Sequence, residues 1–525
     1  MKKRLLSLIL ALCIIISFSP STLAANLPEV DVRTEGLTPA QPQEAPAEKP
    51  RDAGAERRTI YVSNEGTEED DGATAETPTT LARATELANE GKKPVEIVVL
   101  GQVSVDTWTS PTVETTLRGG DENAELLFEY CSASDGAYNI SLADALTIDD
   151  IKFNCNYTDY FFSRYYGTYT IVANGYPLVI ASGVQCSYYT ADTIVDGKTC
   201  STSSCYVIGG GLDEDITGGT HVEIYTSLPL TYVYGGGVNG SVESNVYLHI
   251  ENCGKIQHVR AGGYANKKDA KVNGNITLDF INSVTDNPIY GGGYARSSYS
   301  AEVTGSICIN LSGLNNGFGR PIYGGGYGKN APVVGNIRFN ISNTKMNNNA
   351  AAIYGGGYNS DVTGDIFIHI KENSLISEET VWGGGTGDST ITGGVTITVD
   401  DSSEVIGEIR AGGNEGADVI GDVVITVSGG PQSACPTIFA TGKGEDKDNP
   451  AQVDGNVSIT LHGSRANVYT LDKFGEVTSD HAVTIILDDT DELSGAVRGD
   501  SKLGQHLYNY EKNTPTRTGN GASVI

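Results

Sequence analysis

The chain has 525 residues, with 35 Lys and Arg against 65 Asp and Glu, a formal charge of −30. Glycine supplies 65 of them, about 12% against a usual share near 7%, without the Gly-x-y period that collagen requires. The acidity repels a phosphate backbone and an anionic lipid surface, which argues against nucleic acid, and 39% hydrophobic with 19% charged residues suits an ordered protein.

Lys2, Lys3 and Arg4 precede an apolar run from Leu5 to Phe18, and small residues follow at Thr22-Leu23-Ala24-Ala25. This is the pattern of a secretory signal over 1–25, cut near Ala24 or Ala25. The run is short for a membrane span, and no other segment is long and apolar enough to cross a bilayer. Residues 26–57 hold prolines among Ala, Glu and Gln, which predicts an extended linker ending at the dibasic pair Arg57-Arg58. The cysteines left after the signal are too sparse for a disulfide scaffold.

Residues 58–205 read as strand, acidic glycine turn and a short helix from about Thr79 to Glu90. Further strands follow at 96–105, TTLRGG, LTIDDIKF and LVIASGV. From 206 to 500 a unit of about 29 residues recurs. It opens with an aliphatic, then an aromatic or Arg, then two or three glycines. The openings are Val207, Val233, Val259, Ile289, Ile322, Ile353, Val381, Ile409, Ile438, Val468 and Val497. Each unit also carries three aliphatics in strict alternation, from Val246/Leu248/Ile250 through Ile337/Phe339/Ile341 to Val483/Ile485/Leu487. Period two with one apolar face is a half-buried strand. A unit this short cannot fold alone, so equivalent strands are expected to stack in parallel, one turn per repeat, around a shared apolar interior. The residue after the glycine that precedes each triplet is polar or small (Asn275, Ser306, Asn336, Asp365, Gly394, Asp422, Asn456), which suggests an amide ladder along the axis. Residues 501–525 are a polar tail.

The N-terminal order resembles the opening of the right-handed parallel β-helix of pectin-lyase-like proteins, in which Y-V-x-x-x-G, an acidic turn and T-P-x-x-x-L lead into a capping helix. The matching residues are Tyr61, Val62, Gly66, Asp70, Asp71, Gly72, Thr77 and Pro78, with Leu81 one residue earlier than the pattern's leucine. With the GGG repeats, the chain looks like a bacterial secreted or surface protein of that kind. The expected fold is all-β, a β-solenoid with a short N-terminal capping helix. The resemblance implies a superfamily of lyases and glycosidases acting on acidic polysaccharides, but one fold hosts many functions.

The catalytic patterns of that superfamily are largely missing. N-T-D, G-H-G and R-I-K do not occur, and Asp149-Asp150, Asp400-Asp401 and Asp488-Asp489 are bare pairs whose members point to opposite faces of a strand. Arg260, Arg410 and Arg498 occupy the second position of non-adjacent repeats, with no acidic cluster facing them. Gly328-Lys329 fails as a phosphate loop because Tyr323 and Asn330 stand where Gly and Ser or Thr are required. The repeated glycines read instead as a tight corner needing positive φ. Asp70 and Asp71 form an acidic turn, either solvated or suited to calcium, the one cofactor the sequence suggests. His249 and His369 sit at outward strand positions.

The aromatic column is the most suggestive feature. Second positions are Tyr234, Tyr290, Tyr323, Tyr354 and Trp382, with Phe439 and Tyr469 beyond; sixth positions add Tyr264, Tyr294, Tyr327 and Tyr358. With position one pointing inward, these rings are expected to form an outward stripe that stacks on sugar rings or on another protein, or on one another. The expectation is an exported, non-catalytic, adhesin-like scaffold that binds an extracellular glycan or surface protein. The alternative is a polysaccharide lyase or glycoside hydrolase.

Overall fold

A computed structural model describes residues 57–487 and 523–524, apart from 129–137, 156–164, 187–193, 196–197, 255, 315–317, 347–350, 378–379, 430–435, 465, 471, 473 and 479–480. The chain divides into Met1–Ala53 and Gly54–Ile525, and every described residue lies in the second unit. The signal pattern, nearly all of the linker, Val497, Arg498, Asp488-Asp489 and most of the polar tail lie outside the described residues.

The fold is a right-handed parallel β-solenoid. Its long sheet has 16 strands among the described residues, starting with Arg58–Thr67 and Val95–Val99, and each later rung belongs to the next turn of the coil. The alternating triplets are this sheet: Val246, Ile276, Ile307, Ile337, Ile366, Val395, Val423, Val457 and Val483 stand in one register column. Their side chains enter a single apolar cluster that runs from Ile60 to Ile485. Burying each Ile, Leu or Phe is worth about 1.5–3 kcal/mol, and the pattern repeats at every turn, so the coil is stabilised along its length. One rung lacks the full repeat signature in the sequence: Thr220–Ile224 pairs with Val246–Glu251 and buries Val222 and Ile224.

The second sheet holds the repeat openings. Val207, Val233, Val259, Ile289, Ile322, Ile353, Val381, Ile409, Ile438 and Val468 are register partners in succession, as their spacing predicts. Four smaller sheets are found among the described residues, and two of them complete the cross-section of the later coils. One contains Val333–Val334, Val362–Thr363, Thr390–Thr392 and Asp418–Ile420; the other contains Lys345–Met346, Leu375–Ile376 and Glu404–Val405. Strands of two or three residues are too short to leave an alternation in sequence.

The glycine corner corrects an expectation. None of the glycines in YGGG at 290, 323 and 354 has φ in the left-handed region; they are glycine because surrounding backbone leaves no room for a Cβ, the next coil at the first two positions and the same or preceding coil at the third. A Cβ on Gly325 would lie 2.8 Å from the Gly357 nitrogen, and one on Gly324 would lie 2.3 Å from the Gly355 oxygen. Positive φ occurs elsewhere, where the chain leaves the long sheet: Asn252, Asn282, Gly313 and Asn343 take it in successive coils.

The polar column also works differently from a side-chain ladder. Its side chains accept from the backbone of the next coil: Ser306 N–H donates to Asn275 Oδ1 at 2.8 Å, Asp365 N–H to Asn336 Oδ1 at 2.8 Å and Gly394 N–H to Asp365 Oδ1 at 2.8 Å. Side chain bonds to backbone because the loop brings an N–H within reach of the neighbouring Oδ1 and no strand pairing is available there.

At the N-terminal end, helix Leu81–Gly91 is capped by Thr80, whose side chain accepts from the Arg83 N–H. Leu81, Ala84, Leu87 and Ala88 bury one face in the main core, so the first coils expose less apolar surface than an open end would.

Candidate functional site

The aromatic column is assembled by the second sheet. Tyr234, Arg260, Tyr290, Tyr323, Tyr354, Trp382, Arg410, Phe439 and Tyr469 are register partners in successive turns. The rings lie outside the main core, in a cluster of their own, because the aliphatic at position one takes the inward side. The expected exposed stripe is nevertheless corrected: Tyr234, Tyr290, Tyr294, Tyr323, Tyr354 and Trp382 are only 3% to 8% exposed.

The rings cover one another. Rungs about 4.8 Å apart place flat rings at stacking distance. Tyr290 stacks on Tyr323 at 5.1 Å, Tyr323 on Tyr354 at 4.7 Å and Tyr354 on Trp382 at 5.8 Å. The sixth-position rings form a second stack, Tyr294 on Tyr327 at 4.2 Å and Tyr327 on Tyr358 at 5.2 Å. The two stacks meet edge to face, Tyr323 against Tyr358 at 90°. Burial holds the hydroxyls of Tyr290 and Tyr323 well above the usual phenol range and pushes Tyr354 up to about 12. Beside this double stack Tyr264, Tyr327 and Tyr358 remain half-exposed, as do Phe439 and Tyr469 further along the column.

Arg260 and Arg410 replace rings in the column, and both are 4% exposed. Arg410 donates to Glu408 at 2.8 Å and to Asp472 at 2.6 Å, beside the rings of Trp382 and Phe439. Arg260 lies 3.5 Å from the Tyr294 ring centre and donates to the Tyr234 hydroxyl at 3.1 Å.

The outer face of the long sheet carries a second constellation that sequence reasoning passed over. Glu223, His249 and Asp279 are successive partners in one outward column. His221 Nε2 lies 2.6 Å from Glu223 Oε1, and Tyr225 Oη donates to Glu223 Oε2 at 2.8 Å. His249 Nδ1 lies 3.2 Å from Asp279 Oδ2 and its Nε2 lies 3.2 Å from Glu251. Tyr247 and Asn310 both donate to Asp279. Pairing with His221 holds the Glu223 carboxyl below the usual range against the opposing effect of burial. Burial alone would lower His249, but its bonds to Asp279 and Glu251 prevail and raise it. Burial alone would raise Asp279, but its bonds from His249, Asn310 and Tyr247 prevail and lower it. The column follows from the repeat itself, since His249 and Asp279 occupy equivalent positions one unit apart.

Asp70 and Asp71 are used locally. Asp70 accepts from the Thr67 hydroxyl at 2.7 Å, and Asp71 from the Ala73 N–H at 3.0 Å. Among the described residues no group of three or more His, Cys, Asp or Glu side chains is placed to hold a metal ion. Arg57 binds Glu114 and Thr116, and Arg58 opens the first strand, so the dibasic pair is tied into the first coils. No helix among the described residues is long and apolar enough to cross a membrane. No protein-family model, no curated protein and no solved structure matches this chain.

Proposed function

We propose that the protein is an exported, non-catalytic surface scaffold, a stiff solenoid that presents one ridge to an extracellular glycan or surface protein. The observation that carries this reading is the closed double stack from Tyr290 to Trp382. Rings whose faces are occupied by neighbouring rings stiffen successive coils and offer little to a ligand. The ligand contact is therefore assigned to the half-exposed edge of that stack, Tyr264, Tyr327 and Tyr358. The test is retention on a panel of polysaccharides and matrix proteins, repeated with Tyr358→Ala. The reading expects retention on at least one ligand and a several-fold loss in the variant, measured below the unfolding transition of both proteins because Tyr358 also stacks on Tyr327. Retention that the variant leaves untouched removes the ridge, and a silent panel removes the binding role.

The Glu223–His249–Asp279 column favours a second reading, a glycoside hydrolase or lyase. Two rungs separate the carboxylates by about 10 Å at the backbone, close to the spacing used by inverting hydrolases. Both carboxyls are held ionised, which leaves the raised His249 as the acid of such a pair. New reducing ends or unsaturated products from the same panel, lost in Asp279→Asn, would establish it; none, with or without calcium, would remove it.

A further inference from the structure

Arg260 and Arg410 are a natural comparison. They occupy the same column, are equally buried and lie against aromatic rings. Arg410 is neutralised by two carboxylates, Glu408 and Asp472. Arg260 pairs with no carboxylate among the described residues. Its hydrogen-bond partner is the Tyr234 hydroxyl, and its Nε is buried with no acceptor. A buried charge without a counter-charge is strongly unfavourable, and a chain with 65 acidic residues has no shortage of carboxylates to supply one.

The surroundings of Arg260 are cationic as well. Arg296 is exposed, donates to the Tyr294 hydroxyl at 3.1 Å and lies 5.4 Å from the same Tyr294 ring centre. It too has no carboxylate partner among the described residues. His258 stacks on Tyr232 at 4.5 Å. Burial first, then Arg260 and Arg296, push its pKa down to about 4. Two guanidiniums lie against one tyrosine ring, and Tyr232, Tyr234 and Tyr264 complete the wall around Arg260.

We propose that Arg260 and Arg296, set around Tyr294, form a subsite for an oxyanion, a carboxylate or sulfate group that supplies the missing counter-charge. Guanidinium donors suit such groups because they offer charge-assisted N–H bonds in a fixed plane. Arg296 forms the accessible side, and Arg260 the buried side. The inference rests on the ligand-binding reading above and gives it a chemistry, but the subsite lies on a different pair of residues from the half-exposed ridge.

The test titrates the full secreted chain with sodium sulfate, sodium glucuronate, dextran sulfate and neutral dextran, against chloride at matched ionic strength. The expected result is binding of at least one of the three oxyanion probes. Arg296→Gln, an exposed change, should weaken it roughly tenfold, the equivalent of one charge-assisted bond, and Arg260→Met should weaken it further. Free sulfate or glucuronate binding assigns the ion itself as ligand; binding of dextran sulfate alone assigns a glycan-borne group. No binding of any oxyanion probe, or equal affinity in wild type and Arg296→Gln, overturns the subsite. Neutral dextran or panel retention that survives Arg296→Gln leaves the ridge standing without the subsite, so the two failures are distinguishable.

Discussion

At the scale of single residues, close approach decides which positions tolerate change. Gly325 faces the backbone of the next coil at distances no Cβ can accept. Gly325→Ala should cost about 2 kcal/mol or more, whereas Gly218→Ala, with open space around it, should stay within about 0.5 kcal/mol. Paired denaturant titrations compare them, and equal midpoints would refute the packing account. Thr441 stands where the earlier units have this second glycine, in the coil before the corner changes to Tyr469-Thr470. That is where the next coil stops repeating the glycine corner.

The histidines give opposite pH dependences. His258 is depressed to about 4 in the folded chain against 6.5 as its ordinary value. The unfolded chain then takes up a proton first, so the contribution of His258 is present above about 6.5 and is lost as pH falls toward 4. His249 is raised, so its contribution is present below 6.5 and is lost as pH climbs through its folded value. Stability–pH curves of His258→Gln and His249→Gln, each subtracted from wild type, should slope in opposite directions over these windows. Parallel curves would show that neither histidine is coupled to folding.

At the scale of elements, the column of rings acts as a strap across coils whose second-sheet strands are only two or three residues long. Few backbone bonds per turn hold that side, so side-chain stacking carries more of it. Tyr323 touches Tyr290, Tyr354 and Tyr358. Tyr323→Ala should cost about 3 kcal/mol, and Tyr323→Phe, which keeps the ring, under about 1 kcal/mol. Thermal unfolding followed by near-ultraviolet circular dichroism reads both, and an Ala variant as stable as the Phe variant would remove the strap. The position-one and position-two columns were legible from spacing alone. The exposure of the rings was not, because a one-dimensional period gives direction from the core but not what lies one rung above.

At the scale of the whole described solenoid, each coil contacts mainly the coils before and after it, so stability is close to a sum of nearest-neighbour contributions. Central coils have two neighbours and terminal coils one. Amide exchange should therefore be slowest in strands such as Ile307–Ser312, Ile337–Ser342 and Ile366–Lys371, and faster in Arg58–Thr67, which pairs with one rung of the long sheet. Uniform exchange from end to end would instead mark one all-or-none unit.

The amino-acid order by itself determined the parallel coil, its turn length, the inward triplets and the register of the aromatic column. A strict two-residue alternation repeated at a fixed interval has few ways to bury its apolar face. Tertiary structure alone decided the rest. It placed rings against rings so that an outward stripe became a closed stack, and it showed the corner glycines to be a matter of crowding rather than of φ. It also brought Glu223, His249 and Asp279 into one column and left Arg260 without the carboxylates that Arg410 has. Those outcomes depend on distances between residues some thirty positions apart in the chain, which no local pattern encodes.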